Sequence, residues 1–296
     1  NSLPSAGGVL PTNGSSTSQT FQFTFSDPNG ANDLNVLNVL INNALDGRQA
    51  CYLAYVRGSN QLYLVSDAGA GLLPALTPGT TGTAVNSQCS VSAAGASALA
   101  SGNTLTLTVP VTFASGFGGS KVVYLAARDT AEANSGWIPG GVWRVPGAAA
   151  TSPAVLTAGL PKLTATSATV ALTFSDAQGG SDLNVINVLI NSALDGRNAC
   201  YLAFVRSQNV VYLVNDAGGG LLPGVLLGTG ASASNSQCTI QGAGSSASVS
   251  GNQLTLNLAL TLNSPSFSGN RIIYAAARDT QENNSGWQAV GTWSVP

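Results

Sequence analysis

DLNVLNVLINNALDGRQACYLAYVR at Asp33–Arg57 returns as DLNVINVLINSALDGRNACYLAFVR at Asp182–Arg206. The two stretches are identical at 21 of their 25 positions. Matching motifs continue on both sides at an offset of 149 residues, which becomes 150 between Pro110 and Tyr124. The chain therefore consists of two copies of one domain, and its function must be one that a duplicated module can perform.

This alignment also sets the domain boundaries. The 296 residues divide into two copies of about 148, and a unit of that length can bury its own core. We predict domains at 1–146 and 147–296. The first opens with a leader at 1–18, and the second opens with a linker at 147–152.

Alternating apolar and polar residues predict β-strands in both copies. Phe21, Phe23 and Phe25 are separated by polar residues, which is typical of a strand with one buried face. The segment 34–42 also fits a helix, but its many Val, Ile and Asn residues favour a strand. Pro110 predicts an edge or a bulge in the strand that contains it.

The first copy should therefore contain eight or nine short strands separated by turns. We predict them at 19–26, 34–42, 50–57, 61–66, 86–91, 103–113, 121–128 and 141–145, with a further strand near 4–10. Because no helical run interrupts this series, the sequence predicts an all-β fold of two tandem antiparallel β-sandwiches.

The four cysteines occur two per copy, 38 residues apart each time: Cys51, Cys89, Cys200 and Cys238. Four cysteines allow three pairings. Equivalent placement favours Cys51–Cys89 and Cys200–Cys238, with buried free thiols as the alternative. Disulfides predict an extracellular or cell-surface location. The chain starts at Asn1 and has no Met, so we expect a mature form from which a signal peptide has been removed.

Seven motifs of the first copy recur in the second with few substitutions. They are FSDPNG (25–30), the VLIN strand ending at Asn42, ACYLAY (50–55), LYLVSDAG (62–69), NSQC (86–89), GNTLTLT (102–108) and the tail ARDTAEANSGW…GVW-V-P (127–146). Together they resemble an immunoglobulin-like tandem repeat of bacterial secreted and cell-surface proteins. The resemblance implies immunoglobulin-like or fibronectin-III-like sandwiches outside the cell. It brings no catalytic residues with it.

The composition excludes several classes of function. Charged residues make up 7% of the chain and the net charge is −2, which argues against nucleic acid and anionic membranes as partners. No apolar run reaches the length of about 18 residues that a membrane-spanning helix requires. The absence of His excludes Ser-His-Asp and Cys-His catalysis. We therefore predict a non-enzymatic protein without a cofactor.

All 12 acidic residues occupy matching positions in the two copies. Turn hydrogen bonds and ion pairs with Arg are the main interpretation. The alternative is calcium bound by oxygens of Asp27–Asp33 and Asp176–Asp182, although the second segment offers fewer of them. Trp137 and Trp287 lie in N-S-G-W loops, where they could stack on a sugar ring or plug the end of the core.

Two functions remain in competition. The charge-poor surface favours a structural protein that assembles head to tail, copy on copy, into a filament or sheath. The leader, equivalent to the segment between the copies, would then join chain to chain by adding a strand to the preceding molecule. The alternative is a carbohydrate-binding or adhesive module of a larger cell-surface protein, with surface glycans as partners.

Overall fold

The computed structural model describes residues 1–147, 151–157 and 159–296. The chain divides into two compact units, Asn1–Ala148 and Ala149–Pro296. Within the described residues each unit consists of β-strands and one three-residue 3-10 helix. None of the helical segments found there is long and apolar enough to cross a membrane. The predicted all-β fold of antiparallel sandwiches is confirmed.

Unit 1 contains two sheets. One has the strand order β1-β3-β10-β8-β7, with β9 also paired to β10, and the other has the order β2-β12-β11-β4-β5-β6. The strands are β1 (Ser5–Leu10), β2 (Asn13–Ser15), β3 (Ser18–Ser26), β4 (Leu34–Asn42), β5 (Cys51–Val56), β6 (Gln61–Leu64), β7 (Thr83–Val85), β8 (Cys89–Ser92), β9 (Ser97–Ser101), β10 (Thr104–Phe113), β11 (Gly119–Asp129) and β12 (Ile138–Val145). All pairings are antiparallel except that of β2 with β12.

Unit 2 repeats this plan with the orders β13-β14-β21-β20-β19 and β18-β17-β16-β15-β22-β23. Its described strands are β13 (Ala154–Val155), β14 (Ser167–Ser175), β15 (Leu183–Asn191), β16 (Cys200–Val205), β17 (Val210–Leu213), β18 (Val225–Leu226), β19 (Ser232–Ser234), β20 (Cys238–Ser250), β21 (Gln253–Leu262), β22 (Gly269–Asp279) and β23 (Gln288–Val295).

The apolar faces of the two sheets of unit 1 enclose one core. Phe21, Phe23 and Phe25 on β3 are completely buried. Trp143 on β12 packs edge-on against Phe21 with ring centroids 5.1 Å apart. Its indole N–H donates to the Ser16 carbonyl at 3.0 Å, which satisfies the only polar group of the side chain. The period-two pattern thus places one face of each strand inward.

The ambiguous segment 34–42 forms strand β4. This strand lies between β11 and β5 in the middle of its sheet. Leu34, Leu37 and Ile41 have no exposed surface. Its β-branched residues fit the pleated surface, and the long-range pairing on both sides decides against the helix.

Pro110 does not lie on an edge strand. Strand β10 pairs with β3 along its whole length, with Pro110 opposite Thr20. On its other side β10 pairs with β9 up to Thr108 and with β8 from Val111 onward. The proline therefore lies at the junction of two partner strands, where a missing N–H interrupts no ladder.

The leader completes its own unit. Strand β1 pairs with β3, and β2 pairs with β12. Val9 on β1 is buried in the unit 1 core. In unit 2 Ala154–Val155 likewise pairs with β14. Within one chain the partners of the leader are therefore strands of the same sandwich, and donation of the leader to a preceding molecule stays a prediction. Of the predicted linker 147–152, residues 148–150 lie outside the described residues.

Candidate functional site

One disulfide joins the two sheets of each unit. Cys51 begins β5 and Cys89 begins β8, and these strands belong to different sheets. Their Cα atoms are 5.6 Å apart, and those of Cys200 and Cys238 are 5.5 Å apart. All four half-cystines are buried, and no described cysteine is free. Such bonds are typical of proteins outside the reducing cytosol.

A groove of about 600 Å³ lies on the outer face of the second sheet of unit 2. Its floor follows a row across the sheet, in which Ala276 pairs with Asn187, Asn187 with Ala203, and Ala203 with Tyr212. The two alanines are small, so the floor is recessed between larger side chains. Strand pairing thus forms the groove from residues at outward-facing positions.

Aromatic rings form the walls. Trp287 belongs to the loop between β22 and β23 and lies edge-on against Tyr201, with ring centroids 5.9 Å apart. The Tyr201 hydroxyl donates to Asn187 Oδ1 at 3.3 Å, and the Tyr212 hydroxyl donates to Gln208 Oε1 at 2.8 Å. Burial raises the pKa of Tyr201, so this phenol stays protonated at neutral pH.

Polar side chains flank these rings. Arg278 lines the groove and forms an ion pair with Glu282, with 2.7 Å between Nη1 and Oε2. Asn284 Oδ1 accepts the Gly286 N–H at 3.0 Å, which leaves its amide nitrogen as a donor. The groove is thus apolar at its centre and carries amide and guanidinium donors at its rim.

The same arrangement recurs in unit 1. Trp137 lies edge-on against Tyr52 at 5.9 Å, and the Arg128–Glu132 ion pair is also 2.7 Å long. All 13 groove-lining residues of unit 2 have identical counterparts in unit 1. On the outward-facing positions of β3 and β10, by contrast, four of ten residues differ from their counterparts on β14 and β21.

The structure separates the four tryptophans into two pairs. Trp143 and Trp293 are buried in the cores of their units. Trp137 and Trp287 are only partly buried and belong to neither core, so they do not plug the sandwich. The alternative interpretation, exposure to a ligand, fits their position. Tyr201 and Tyr212 went unnoticed in the sequence, although their outward strand positions could have indicated them.

Acidic residues meet at one end of each sandwich. Oxygens of Asp27, Asp33 and Asp129 lie within 4.8 Å of one another, and the second unit places the three counterpart residues in the same way. Asp27 and Asp129 are completely buried. We call these groups the acidic clusters: Asp27, Asp33 and Asp129 in unit 1, and Asp176, Asp182 and Asp279 in unit 2. The sequence pattern indicates the first two positions of each cluster but not the third.

The remaining acids fit the interpretation as turn and ion-pair residues. Asp46 Oδ2 lies 2.6 Å from Arg48 Nη2, and Asp195 and Arg197 repeat this geometry. Asp67 Oδ1 accepts the Ser87 backbone N–H at 3.2 Å. These contacts close local turns at the surface.

Comparisons with known proteins add little. No protein family matches the chain, and no curated protein is similar to it. Among solved structures the chain matches fibronectin(III)-like modules of CbhA from Clostridium thermocellum, at 10% sequence identity and a TM-score of 0.22. The match covers 99% of this chain and 94% of the other. A likeness this distant identifies neither a family nor a function.

Proposed function

We propose that this chain is a non-enzymatic extracellular module that binds neutral carbohydrate in the groove of each unit. The observation that carries the proposal is the groove itself, formed by Trp287, Tyr201 and Tyr212 around a recessed floor. Aromatic faces pack against the C–H faces of sugar rings, and rim donors can bind hydroxyl groups. A volume of about 600 Å³ is within the usual range for small-ligand sites.

The charge balance of the groove supports a neutral ligand. The positive charge of Arg278 is balanced by Glu282, and the groove lining contains no carboxylate. Unit 1 has the same balance between Arg128 and Glu132. A groove without net charge favours neither anionic nor cationic sugars, and hydrogen bonds and ring packing remain the main interactions.

The same lining supports binding rather than catalysis. Its ionisable groups are Tyr201, Tyr212 and Arg278. The raised pKa of Tyr201 keeps this phenol protonated at neutral pH, and the chain contains no His. The groove lining thus contains neither a carboxylate nor a His, the groups that usually act as acid and base in the hydrolysis of a glycoside or an ester.

A neutral-glycan array followed by isothermal titration calorimetry tests this proposal. Trp137→Ala and Trp287→Ala should each remove one of two equivalent sites, and the double variant should bind at least tenfold more weakly, which corresponds to about 1.4 kcal/mol. Leu45→Ala with Leu194→Ala is the matched control, because both leucines are about half exposed and lie outside the groove lining. No binding to any neutral glycan would overturn the proposal.

Head-to-tail self-assembly into a filament or sheath is the second candidate. Its support is a charge-poor surface that exposes leucines at matched positions, among them Leu72 at 58% and Leu221 at 62%. Since the leader pairs within its own sandwich, these surfaces are the ones that an assembly without strand exchange would use. Sedimentation velocity at increasing concentration, together with electron microscopy, separates the candidates. A monomer at every concentration would exclude assembly.

A further inference from the structure

No positive side chain in the described part of the chain forms an ion pair with the acidic clusters. The ion pairs among the described residues are Arg48–Asp46, Arg128–Glu132, Arg197–Asp195 and Arg278–Glu282, and none of them involves a cluster residue. Two of the three carboxylates in unit 1 are nevertheless completely buried. Like charges at this separation, removed from water, are strongly unfavourable unless they are protonated or paired.

The third position of each cluster is surrounded by uncharged donors. Asp129 Oδ2 accepts the Asn1 side-chain amide at 2.7 Å, and Asp129 Oδ1 accepts the backbone N–H groups of Ala131 and Ala133 at 2.9 Å each. In unit 2, Asp279 Oδ1 accepts the N–H groups of Gln281 at 2.9 Å and Asn283 at 2.8 Å, and Asp279 Oδ2 accepts the Asn283 amide at 2.7 Å. These amide donors orient the carboxylates, but none of them brings a positive charge to offset the neighbouring acids.

One buried oxygen of unit 1 has no donor. Asp27 Oδ1 accepts the Asn29 N–H at 2.8 Å, whereas Asp27 Oδ2 has no hydrogen-bond partner among the residues that the structure describes. Buried carboxylate oxygens are normally paired, so an unpaired one beside two further carboxylates points to a cation-binding site. In unit 2 the counterpart atom, Asp176 Oδ2, accepts the Ser152 hydroxyl at 3.3 Å, and the buried oxygen without a partner among the described residues of that cluster is Asp182 Oδ2.

We infer that each acidic cluster binds one calcium ion. Calcium prefers oxygen ligands at 2.3–2.6 Å, so one ion can contact three oxygens that lie within 4.8 Å of one another. Asp27, Asp33 and Asp129 would each supply one oxygen, and water would complete the shell. The ion would tie the β3–β4 connection to the end of β11 in unit 1.

The second copy offers fewer side-chain oxygens in this segment than the first, and the structure shows that the cluster does not use the oxygens that differ. The side-chain oxygens of Asn29 and Asn32 in unit 1 accept hydrogen bonds from the Ser2 N–H and from Arg57. These amides are thus already engaged, and their replacement by Gln178 and Ser181 in unit 2 costs the cluster nothing. The third ligand comes instead from Asp129 or Asp279, which both copies retain.

Calorimetric titration of the full chain with calcium chloride after treatment with EDTA tests this inference. We expect two calcium ions per chain and a rise of several degrees in the melting temperature. Asp27→Asn with Asp176→Asn should abolish both effects. The same double variant should melt higher than the wild type in EDTA, because it relieves repulsion between carboxylates.

Asp67→Asn with Asp216→Asn is the matched control, since these carboxylates are also duplicated and accept a backbone N–H outside the clusters. It should keep both calcium ions. Absence of heat and of a thermal shift in the wild type at about 10 mM calcium would overturn the inference. Equal shifts in the wild type and the Asp27/Asp176 variant, or a response to magnesium alone, would also overturn it. Glycan binding is measured separately, so failure of either proposal leaves the other standing.

Discussion

The two units differ at one position of a central strand, where a backbone N–H would face the junction between two partner segments. Unit 1 has Pro110 where β10 passes from β9 to β8, and Ala96 lies in the segment that joins these partner strands. Unit 2 has Ala259 and Ser245 at the matching positions. There β20 is continuous with an irregularity, and the Ala259 N–H donates to Ser245 Oγ at 2.9 Å. Unit 1 has no backbone N–H at this position because the residue is a proline, and unit 2 satisfies its N–H with the Ser245 hydroxyl.

This contrast shows which surfaces tolerate change. The outward face of the first sheet has diverged at four of ten positions, and where a backbone donor was affected a second residue compensates. The groove has not diverged at any of its 13 positions, although several of its side chains are exposed. The proposed binding function requires this difference, because residues that contact a ligand are constrained and exposed residues elsewhere are not.

The disulfides should give the largest effect, and the same one in both units. Cys51→Ala with Cys89→Ala, or Cys200→Ala with Cys238→Ala, should lower the free energy of unfolding of the affected unit by about 4 kcal/mol. Each bond closes a loop with a separation of 38 residues, so the loss of chain-entropy stabilisation is equal. Guanidinium denaturation of the two variants measures it. If one variant lost less than about 1 kcal/mol of its free energy of unfolding, the two disulfides would not be equivalent.

Ser245→Ala should give a smaller effect, confined to unit 2. The Ala259 N–H would lose its acceptor, which costs about 1–2 kcal/mol for a part-buried donor. Adding Ala259→Pro recreates the unit 1 combination and should recover most of that stability. Thermal denaturation of the single and double variants checks this. No recovery in the double variant would show that the two positions are not coupled.

Lowering the pH should change the free energy of unfolding least. The pKa of Asp46 lies at about 2, because Arg48 donates side-chain and backbone hydrogen bonds to its carboxylate, and Asp195 beside Arg197 behaves alike. A lowered pKa means that the contribution is present at neutral pH and is lost as the pH falls from about 3.9 through about 2. Both pairs are solvent-exposed, so the stability change is small. Carboxyl NMR titration should give a midpoint near 2 at both residues. A midpoint near 4 would contradict the ion pair.

Much of the fold was predictable from local patterns. The alternation at Phe21–Phe25 and the duplicated motifs indicate strands and domains, because period two is a property of single strands. The short strands β2, β7 and β9 were not predicted, since Asn13–Ser15, Thr83–Val85 and Ser97–Ser101 lack a bulky apolar alternation. The role of Pro110 was not predictable either, because it depends on which partner strand lies beside each half of β10.

The sites were predictable only in part. The sequence indicates Trp287 as a possible sugar-stacking residue and Asp27 and Asp33 as possible ligands. The sequence alone could not predict that Tyr201 lies beside Trp287, or Asp129 beside Asp33, because these residues are far apart in the chain. Such proximity is set by the pairing of β15 with β22 and of β4 with β11.

The most direct test of the central claim uses the indole N–H signals of the four tryptophans. Titration of a neutral glycan identified on the array should shift the signals of Trp137 and Trp287 in a ¹H–¹⁵N NMR spectrum. Trp143 and Trp293 are internal controls, because their indoles are buried and donate to backbone carbonyls. The account predicts two shifted and two unchanged signals. Binding that leaves Trp137 and Trp287 unchanged would contradict it.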